Sequence, residues 1–511
     1  MPTPPPAAPP RPLPHLLPAL RSDLRAADYS VARAEEVLGP VAVGALRRED
    51  PAPARRVLAA RTDAFSVLYA LFTLGARPPR PALEQALPAL TVDGAIALGL
   101  VREEADGTVA AQVDLSPYAA SDDLGEIRWW IASDLSELAT GAPLHPDHVL
   151  GVGGASLTLA RITPRRRVDS VLDLGCGGGI QAMHASRHAR RVVATDLSAR
   201  ALAFAGFTAA LNGIEIELRE GSLLDPVAGE TFDLVVSNPP FVITPRGEES
   251  AYTYRDGGRA GDTLLAALLE ELPAHLAPGG TAVMLGNWEI STGAAWDEHP
   301  RAWFAPAIAD GVHAWVVQRD REDPAAYAAT WARDGGVTTR DARWEPLIGA
   351  WLDDFEARDV EGIGFGYLLL RRPARPTTAR LVAEEVHGTG SGTLGAHMGE
   401  SLDALEHLAD LGDEELLASR PVRAEDVVER RHLTPGAWDP MLIELVQGGG
   451  LARAVPLSQT LAATVGACDG TLTLGQIISA VCALTDADEA QVRAEETGRL
   501  RELVRTGMLQ L

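Results

Sequence analysis

The chain contains no lysine and very little asparagine. All 45 of its basic residues are arginine, and its only three asparagines are Asn212, Asn238 and Asn287. A GC-rich genome drifts away from lysine and asparagine codons towards those for arginine, alanine, glycine and proline. Most of the arginines therefore carry little functional information, whereas an asparagine that persists is a stronger sign of function.

Cysteine is also scarce. The three cysteines (Cys176, Cys468 and Cys482) are too few for a disulfide framework, and their spacing does not suit a metal site. We therefore expect a reducing compartment and a cytoplasmic location. His184 and His188 have the spacing of two ligands on one helix face, but the sequence places no third ligand, so we expect no bound metal.

Long apolar runs and positive charge are lacking as well. No run of 18 or more apolar residues occurs, so we expect no membrane span and no membrane partner. The first 20 residues lack a charged segment followed by an apolar helix, so we expect no secretion signal. A formal charge of −25, from 45 basic and 70 acidic residues, weighs against non-specific binding to nucleic-acid phosphates.

The length of 511 residues suggests about three domains. We predict a disordered proline-rich arm over 1–20, an α+β domain over 21–145, a central domain over 146–373, a linker over 374–400 and a mainly helical domain over 401–511. In the first domain, Asp106-Gly107 between alternating segments predicts a hairpin after two helices, which resembles a winged helix. Any small α+β domain remains the alternative, and the end of the chain resembles a second unit of this type.

The central domain alternates strands and helices, which is typical of a parallel α/β sheet. Strands are predicted at 170–175, 191–196, 232–241, 281–288, 312–319 and 364–372. The run from Asp173 to Gly179 lies where the first of these strands meets a helix, and its small residues let the backbone approach a ligand. Ile180 stands where a strict dinucleotide fingerprint has glycine. Asp196 ends the next strand, where a carboxylate can accept both ribose hydroxyls, so a nucleoside-bearing cofactor is predicted.

A second motif narrows the choice of cofactor. Asn238-Pro239-Pro240-Phe241 ends the strand predicted at 232–241, about 60 residues after the glycine-rich loop. It resembles the (Asn/Asp/Ser)-Pro-Pro-(Tyr/Phe/Trp) motif of class I S-adenosylmethionine-dependent N-methyltransferases. The amide oxygen of Asn238 and the carbonyl of Pro239 can each accept one N–H of a planar NH₂ group, which aims its lone pair at a methyl carbon. Phe241 can stack on a flat substrate group.

This resemblance implies a Rossmann-like seven-stranded core that binds S-adenosylmethionine, flanked by mainly helical domains. In the family's pattern, Asp173, Gly175 and Gly177 contact the methionine portion and Asp196 binds the ribose. Leu197 and Asn238 are further cofactor-binding positions. Ser222 and Leu223 stand where many members have an acid and an apolar residue at the adenine, and Asp225 could substitute for the acid. Asn212-Gly213 matches a structural helix end.

One further segment resembles part of the release-factor glutamine methyltransferases. Tyr252, Tyr254 and Arg255 lie in a loop after the Pro-Pro motif, in the position of a loop near the substrate in several members of that group. A flexible surface loop is the alternative interpretation of this segment.

These motifs predict methyl transfer to a planar nitrogen. The interpretation we favour is a glutamine side chain in a protein partner such as a release factor. The alternative is a guanine-N2 or adenine-N6 amine in rRNA, tRNA or DNA, with RNA or the ribosome as the partner. A non-catalytic cofactor-binding scaffold is a hypothesis of another class, although a scaffold does not need the amine acceptors of Asn238-Pro239. The sequence predicts no oligomeric state.

Overall fold

A computed structural model describes residues 7–141, 144–245 and 261–511. Its first region combines a helical layer with two β-hairpins. The helices are α1 (Leu17–Ala26), α2 (Val31–Leu46), α3 (Ala52–Ala59), α4 (Ala64–Phe72), α5 (Arg80–Ala86), α6 (Thr91–Ala97) and α7 (Glu137–Thr140). The strands are β1 (Val101–Glu103), β2 (Val109–Ala111), β3 (Asp114–Asp122) and β4 (Gly125–Ser133).

The N-terminal segment differs from the prediction, whereas the hairpin agrees with it. Strands β1 and β2 pair antiparallel on either side of Asp106-Gly107, and Gly107 has the left-handed φ of +77° that such a turn favours. The arm predicted over 1–20 is ordered from its described start at residue 7. Leu17 and Leu20 of α1 are buried, and the Arg11 N–H donates to the Leu98 carbonyl at 2.8 Å. Burial of these leucines outweighs the extended tendency of the prolines.

The central region is a large sheet with helices on both faces. Its helices are α8 (Gly154–Ile162), α9 (Ile180–Ala185), α10 (Ala199–Asn212), α11 (Thr263–Glu271), α12 (Glu298–Ala309), α13 (Pro324–Asp334) and α14 (Trp344–Ala357). Its strands are β5 (Val168–Leu174), β6 (Ala189–Asp196), β7 (Glu217–Glu220), β8 (Phe232–Ser237), β9 (Leu276–Ser291), β10 (His313–Glu322), β11 (Val360–Arg371) and β12 (Leu381–Glu385).

The sheet order confirms the predicted fold class and adds one strand. The strands follow the order β12-β10-β11-β9-β8-β5-β6-β7, and only β11 runs antiparallel to its neighbours. The eighth strand, β12, comes from the segment 374–400 that was predicted as a linker. Leu381 and Ala383 pack against one hydrophobic cluster and Val382 against another, so alternate side chains of this edge strand cover both faces of the sheet.

The last region contains more strand than predicted. Its helices are α15 (Leu394–Asp410), α16 (Asp413–Ala418), α17 (Gln459–Gly466), α18 (Leu474–Thr485) and α19 (Glu489–Arg505). Its strands are β13 (Val422–Arg423), β14 (Val427–Leu433), β15 (Pro440–Gln447), β16 (Ala454–Leu457) and β17 (Leu509–Gln510). The β14-β15-β16 sheet was missed because β14 is exposed along nearly its whole length and lacks an apolar alternation.

Asn212 joins the first region to the central sheet. Its side-chain amide donates to the Trp130 carbonyl at 2.8 Å, and its oxygen accepts the Trp130 N–H at 3.0 Å, so α10 is bonded to β4. Gly213 ends α10 with a φ of +70°. In the described parts of the chain, no helix has both the length and the apolar character needed to cross a membrane.

Candidate functional site

The glycine-rich loop and the Asn-Pro-Pro motif lie side by side at the carboxyl edge of the sheet. Strands β5 and β8 pair in parallel, with Leu174 opposite Ser237. The Ser237 hydroxyl donates to the Leu174 carbonyl at 2.8 Å, in a buried contact. Asp173 and Asn238, one residue to either side of this pair, are therefore held at one edge, where open α/β sheets bind their ligands.

Glycines shape the loop after β5. Gly175 and Gly177 have φ values of +71° and +51°, which favour glycine over residues with a side chain. A Cβ added at either position would meet no atom within 4 Å, so the space in front of the loop is open. At Gly179, an added Cβ would lie 2.9 Å from the Ala205 Cβ, because the loop rests on α10 there. The loop therefore presents backbone to an open space while its base is packed.

Asp173 is the buried carboxylate of the site. Its Oδ2 accepts the Ala182 N–H at 2.8 Å, which ties the end of β5 to α9. Burial raises the pKa of Asp173 to about 7, and the nearby Asp196 carboxylate adds to the rise. A cation placed against this edge would favour the ionised form of Asp173.

Asp196 fixes the loop from the neighbouring strand. Its Oδ2 accepts the Gly177 N–H and its Oδ1 accepts the Ser198 N–H, each at 2.8 Å. Burial raises the pKa of Asp196, and these backbone hydrogen bonds oppose the rise. Each carboxylate oxygen retains a second lone pair that can accept a hydroxyl. Leu197, the next residue, is 68% exposed, which leaves a large apolar side chain at the rim.

The predicted adenine-contacting residues follow β7, the next strand of the sheet. Ser222 and Asp225 are exposed, and the Asp225 N–H donates to the Ser222 carbonyl at 3.0 Å. Leu223 is half-buried and has a φ of +44°. Both polar side chains lie on the turn that extends the edge defined by β5 and β6.

Asn238 carries an unsatisfied acceptor. Its Oδ1 is buried and accepts no hydrogen bond from any residue that the structure describes. A buried polar atom without a partner is costly unless a ligand supplies one. Phe241 is half-buried and packs against three groups of buried apolar residues, so its ring is partly a packing element. The orphan oxygen at 238 is the acceptor expected of a site that receives an N–H.

Sequence reasoning missed the support behind this motif. The Tyr327 hydroxyl accepts the Ile243 N–H at 3.0 Å and the Asn287 side-chain amide at 3.1 Å. Tyr327 is fully buried among the aromatic rings of Trp331, Trp351, Phe355 and Phe365. The rarity of asparagine was the one available signal, since Asn287 belongs to this network.

A second missed cluster lies where β9 extends beyond its pairing with β8. The Asp262 carboxylate accepts from His299 Nδ1 at 2.7 Å and from the Glu289 N–H at 3.0 Å. Burial raises the pKa of Glu289 to about 7 although Arg358 opposes it, and the Asp262 carboxylate raises the pKa of His299.

The remaining predicted residues are placed as follows. Tyr252, Tyr254 and Arg255 lie outside the described residues. His184 Nε2 forms a 2.9 Å hydrogen bond with the Tyr118 hydroxyl, and burial lowers the pKa of His184 to about 3. His188 Nδ1 donates to the Arg166 carbonyl at 2.8 Å. Both histidines of the i, i+4 pair thus bind protein groups through one ring nitrogen each.

Two family models match the chain. The model described as "Methyltransferase small domain" matches residues 151–292, and a "Domain of unknown function (DUF7059)" matches residues 26–112. The first match contains the glycine-rich loop, Asp196 and the Asn-Pro-Pro motif.

Curated relatives match the same region. A Methanocaldococcus jannaschii protein assigned as a protein N5-glutamine methyltransferase is 31% identical over 146 residues, which is 28% of this chain and 73% of the relative. A release factor glutamine methyltransferase from Xylella fastidiosa is 37% identical over 130 residues, covering 23% of this chain and 47% of the relative. The ribosomal RNA small subunit methyltransferase C of Alcanivorax borkumensis is 31% identical over 120 residues, covering 24% and 33%.

Among solved structures, a 16S rRNA methyltransferase from T. thermophilus in complex with AdoMet and guanosine matches with a TM-score of 0.26 and 19% identity, over 50% of this chain and 64% of that one. The chain spans about a third to three quarters of the length of the three curated relatives described above. The relative that it covers at 73% with 31% identity establishes the family. The chain belongs to the class I S-adenosylmethionine-dependent methyltransferases with a small methyltransferase domain.

Proposed function

We propose that this protein is an S-adenosylmethionine-dependent N-methyltransferase that acts on the side-chain amide of a glutamine in a protein partner. The observation that carries the proposal is the buried, unpartnered Oδ1 of Asn238, held beside the glycine-rich loop by the Ser237–Leu174 hydrogen bond. An acceptor in that position suits a substrate that brings an N–H to the edge of the sheet.

The residues at this edge fit the cofactor. The open space before Gly175 and Gly177 admits a ligand against the backbone, and Asp196 has lone pairs for ribose hydroxyls. Leu197 offers an exposed apolar surface beside them. When bound, S-adenosylmethionine supplies an electrophilic methyl group on a sulfonium.

Asn238 and Pro239 compensate for the weak nucleophilicity of the substrate's amide nitrogen. The lone pair of the amide nitrogen is delocalised into the carbonyl, which makes the nitrogen a poor nucleophile. The nitrogen must therefore be held so that its lone pair points at the methyl carbon. Asn238 Oδ1 and the Pro239 carbonyl accept the two N–H groups and fix the nitrogen, and the two prolines hold the carbonyl direction rigidly. The methylated nitrogen becomes strongly acidic and loses its proton to water, so no strong general base is needed.

The class of molecule that accepts the methyl group is inferred from the formal charge of the chain and from its curated relatives. A formal charge of −25 opposes association with nucleic-acid phosphates. Two of the relatives described above are named as glutamine methyltransferases, one of them for release factors. We therefore propose a translation factor or ribosomal protein as the partner, encountered in the cytoplasm.

A base amine in RNA is the second candidate. It is favoured by the match to a ribosomal RNA methyltransferase and by phenylalanine at position 241, which resembles ribosomal guanine methyltransferases at that one position. The target base would have to be unpaired or flipped out to reach Asn238.

Labelling distinguishes the two candidates. The purified full chain is incubated with cofactor carrying a radioactive methyl group and with lysate from a strain that lacks the gene. We expect label in a protein band, and acid hydrolysis of that band should release N5-methylglutamine. Label in RNase-sensitive material would establish the second candidate. Failure of the cofactor to bind in calorimetry would contradict both.

A further inference from the structure

A short segment of the chain, residues 149–156, lies against the glycine-rich loop. The Leu150 carbonyl oxygen is 3.7 Å from the position that a Cβ on Gly178 would occupy, so the two stretches of backbone pack together. At the other end, the Ser156 carbonyl accepts the Gln181 side-chain amide at 2.7 Å, which ties the segment to the first turn of α9. The segment is therefore placed beside the space proposed for the cofactor.

The beginning of this segment is held by Asp134, the residue that follows β4 in the first region. The Asp134 N–H donates to the Val149 carbonyl at 3.0 Å, and the Asp134 Oδ2 accepts the Val149 N–H at 2.9 Å. The Val149 side chain is buried in the hydrophobic cluster of the first region, which also contains Phe204 of α10. With its N–H, its carbonyl and its side chain all engaged, Val149 is held in one place by the first region.

Arg200 connects Asp134 to the central sheet. Its Nε donates to the Asp134 Oδ2 at 3.0 Å, and a terminal nitrogen of the same guanidinium donates to the Asp134 Oδ1. The two side chains are 14% and 7% exposed, so water screens their attraction less than that of a surface pair. Arg200 lies in the first turn of α10, two residues after Ser198, whose N–H is bonded to Asp196. The pair therefore links the segment to the carboxylate proposed for the ribose.

We propose that Asp134 and Arg200 are positioning residues of the cofactor site, through which the first region sets the affinity for S-adenosylmethionine. The pair holds Val149, and Val149 fixes the segment 149–156 against the glycine-rich loop before the cofactor binds. Preorganisation of this kind lowers the cost of ordering the site on binding. Asp134 and Val149 lie outside residues 151–292, which the methyltransferase family model matches. The inference rests on the cofactor edge of the proposed function.

The test is calorimetric titration of the full chain with S-adenosylhomocysteine. Arg200→Gln leaves the Asp134 carboxylate without its counter-ion, and we expect the Kd to rise about tenfold because a smaller fraction of the protein holds the segment in place. Arg187→Gln is the matched control. Arg187 pairs with Asp122 of β3, a contact of similar burial between the same two regions, but it lies just before β6, at the opposite edge of the sheet. Arg187→Gln should lower the unfolding midpoint and bind like the wild type.

Kinetics separate positioning of the cofactor from a general loss of structure. In the labelling assay with varied S-adenosylmethionine, Arg200→Gln should raise the KM for the cofactor about tenfold and leave kcat within about twofold. The reason is that Asn238 follows β8, which lies on the other side of β5 from β6 and α10. Arg200→Lys keeps the charge but not the two-pronged contact, so its Kd and KM should fall between those of the wild type and Arg200→Gln. If Arg200→Gln does not fold, Arg200→Lys carries the same comparison.

Three outcomes would overturn the proposal while the proposed function stands. The first is equal affinity for S-adenosylhomocysteine in the wild type and the Arg200 variants. The second is equal weakening in Arg200→Gln and Arg187→Gln, which would show that affinity only follows stability. The third is a fall in kcat at unchanged KM. Failure of the wild type to bind S-adenosylhomocysteine would instead refute the cofactor site itself, whereas label in RNA would change the acceptor and leave the affinity results as they are.

Discussion

The Ser237 hydroxyl donates a 2.8 Å hydrogen bond to the Leu174 carbonyl, across the carboxyl ends of β8 and β5. The two residues are register partners, so this contact lies directly beneath the glycine-rich loop and the Asn-Pro-Pro motif. It fixes the acceptor at Asn238 relative to the backbone proposed to hold the cofactor.

Ser237→Ala should lower kcat by more than its small effect on the free energy of unfolding would suggest. Loss of one buried hydrogen bond costs about 1 kcal/mol of unfolding free energy, whereas a small misplacement of Asn238 lowers the rate of a reaction that depends on alignment. Denaturant unfolding and steady-state kinetics measure the two effects. Ser419→Ala is the control, because Ser419 makes a similar hydroxyl-to-carbonyl contact with Leu416 in the last region. Equal kcat in Ser237→Ala and Ser419→Ala would contradict the alignment argument.

Tyr327→Phe should weaken the segment that follows the Pro-Pro motif. The change leaves the buried Ile243 N–H and the Asn287 amide without their shared acceptor, at a cost of about 1 to 3 kcal/mol in unfolding free energy. Hydrogen exchange at Ile243 should accelerate and kcat should fall, while cofactor affinity stays within a few fold. Unchanged exchange at Ile243 would show that the hydroxyl does not support this segment.

Asp196→Ala should weaken cofactor binding about tenfold or more. The change removes the proposed acceptor of the ribose hydroxyls and also the partner of the Gly177 N–H, so the loop loses its anchor. Calorimetry with S-adenosylhomocysteine measures the effect. Asp310→Ala removes an exposed carboxylate at the end of α12 and should bind like the wild type. Wild-type affinity in Asp196→Ala would refute the assignment of Asp196 to the cofactor.

Glu384→Gln should destabilise the junction between the sheet and the last region. Glu384 of β12 pairs with Arg453 at 2.9 Å and with Arg505 at 3.3 Å, and it accepts the Trp315 indole N–H at 2.7 Å. Removal of the charge leaves the buried guanidinium of Arg453 without its counter-ion, while Arg505 keeps Glu502, and the loss costs about 3 kcal/mol or more. The unfolding midpoint at neutral pH measures this loss.

The ionisation of Glu384 predicts that the stability of the protein depends on pH. Burial opposes ionisation of Glu384, but Arg505 and Arg453 outweigh it and lower the pKa to about 2. A lowered carboxyl pKa contributes stability that is complete above the unfolded-state pKa near 4.5 and is lost as pH falls towards 2. The difference in stability between the wild type and Glu384→Gln should therefore narrow from pH 5 to pH 3. A constant difference over that interval would contradict the assigned ionisation.

The sequence sufficed for six of the eight strands of the central sheet, all but β7 and β12, because the signals of those six are local. Short apolar strands, the glycine-rich loop and the Pro-Pro stop each follow from residues adjacent in the chain, and the parallel pattern then places strand ends at one edge. The edge strand β12 escaped prediction because it lies among prolines and glycines that are typical of a linker. The order of the N-terminal arm also escaped, since the contacts that fix it, such as Arg11 with Leu98, are distant in sequence.

In the candidate site too, residues in local motifs could be predicted and residues placed by tertiary contacts could not. Asp173, Asp196 and Asn238 could be chosen from motifs, because each ends a strand. Tyr327 and the Asp262–His299 pair could not, since their roles arise from tertiary contacts made by residues with no motif of their own.

The measurement that tests the central claim most directly is the effect of Asn238→Ala on methyl transfer and on cofactor binding in the same preparation. We predict a loss of about 100-fold or more in kcat, with affinity for S-adenosylhomocysteine within a few fold of the wild type. Asn212→Ala, which removes the structural asparagine bonded to Trp130, should lower the unfolding midpoint but retain the rate. Methyl transfer by Asn238→Ala at the wild-type rate would contradict the account.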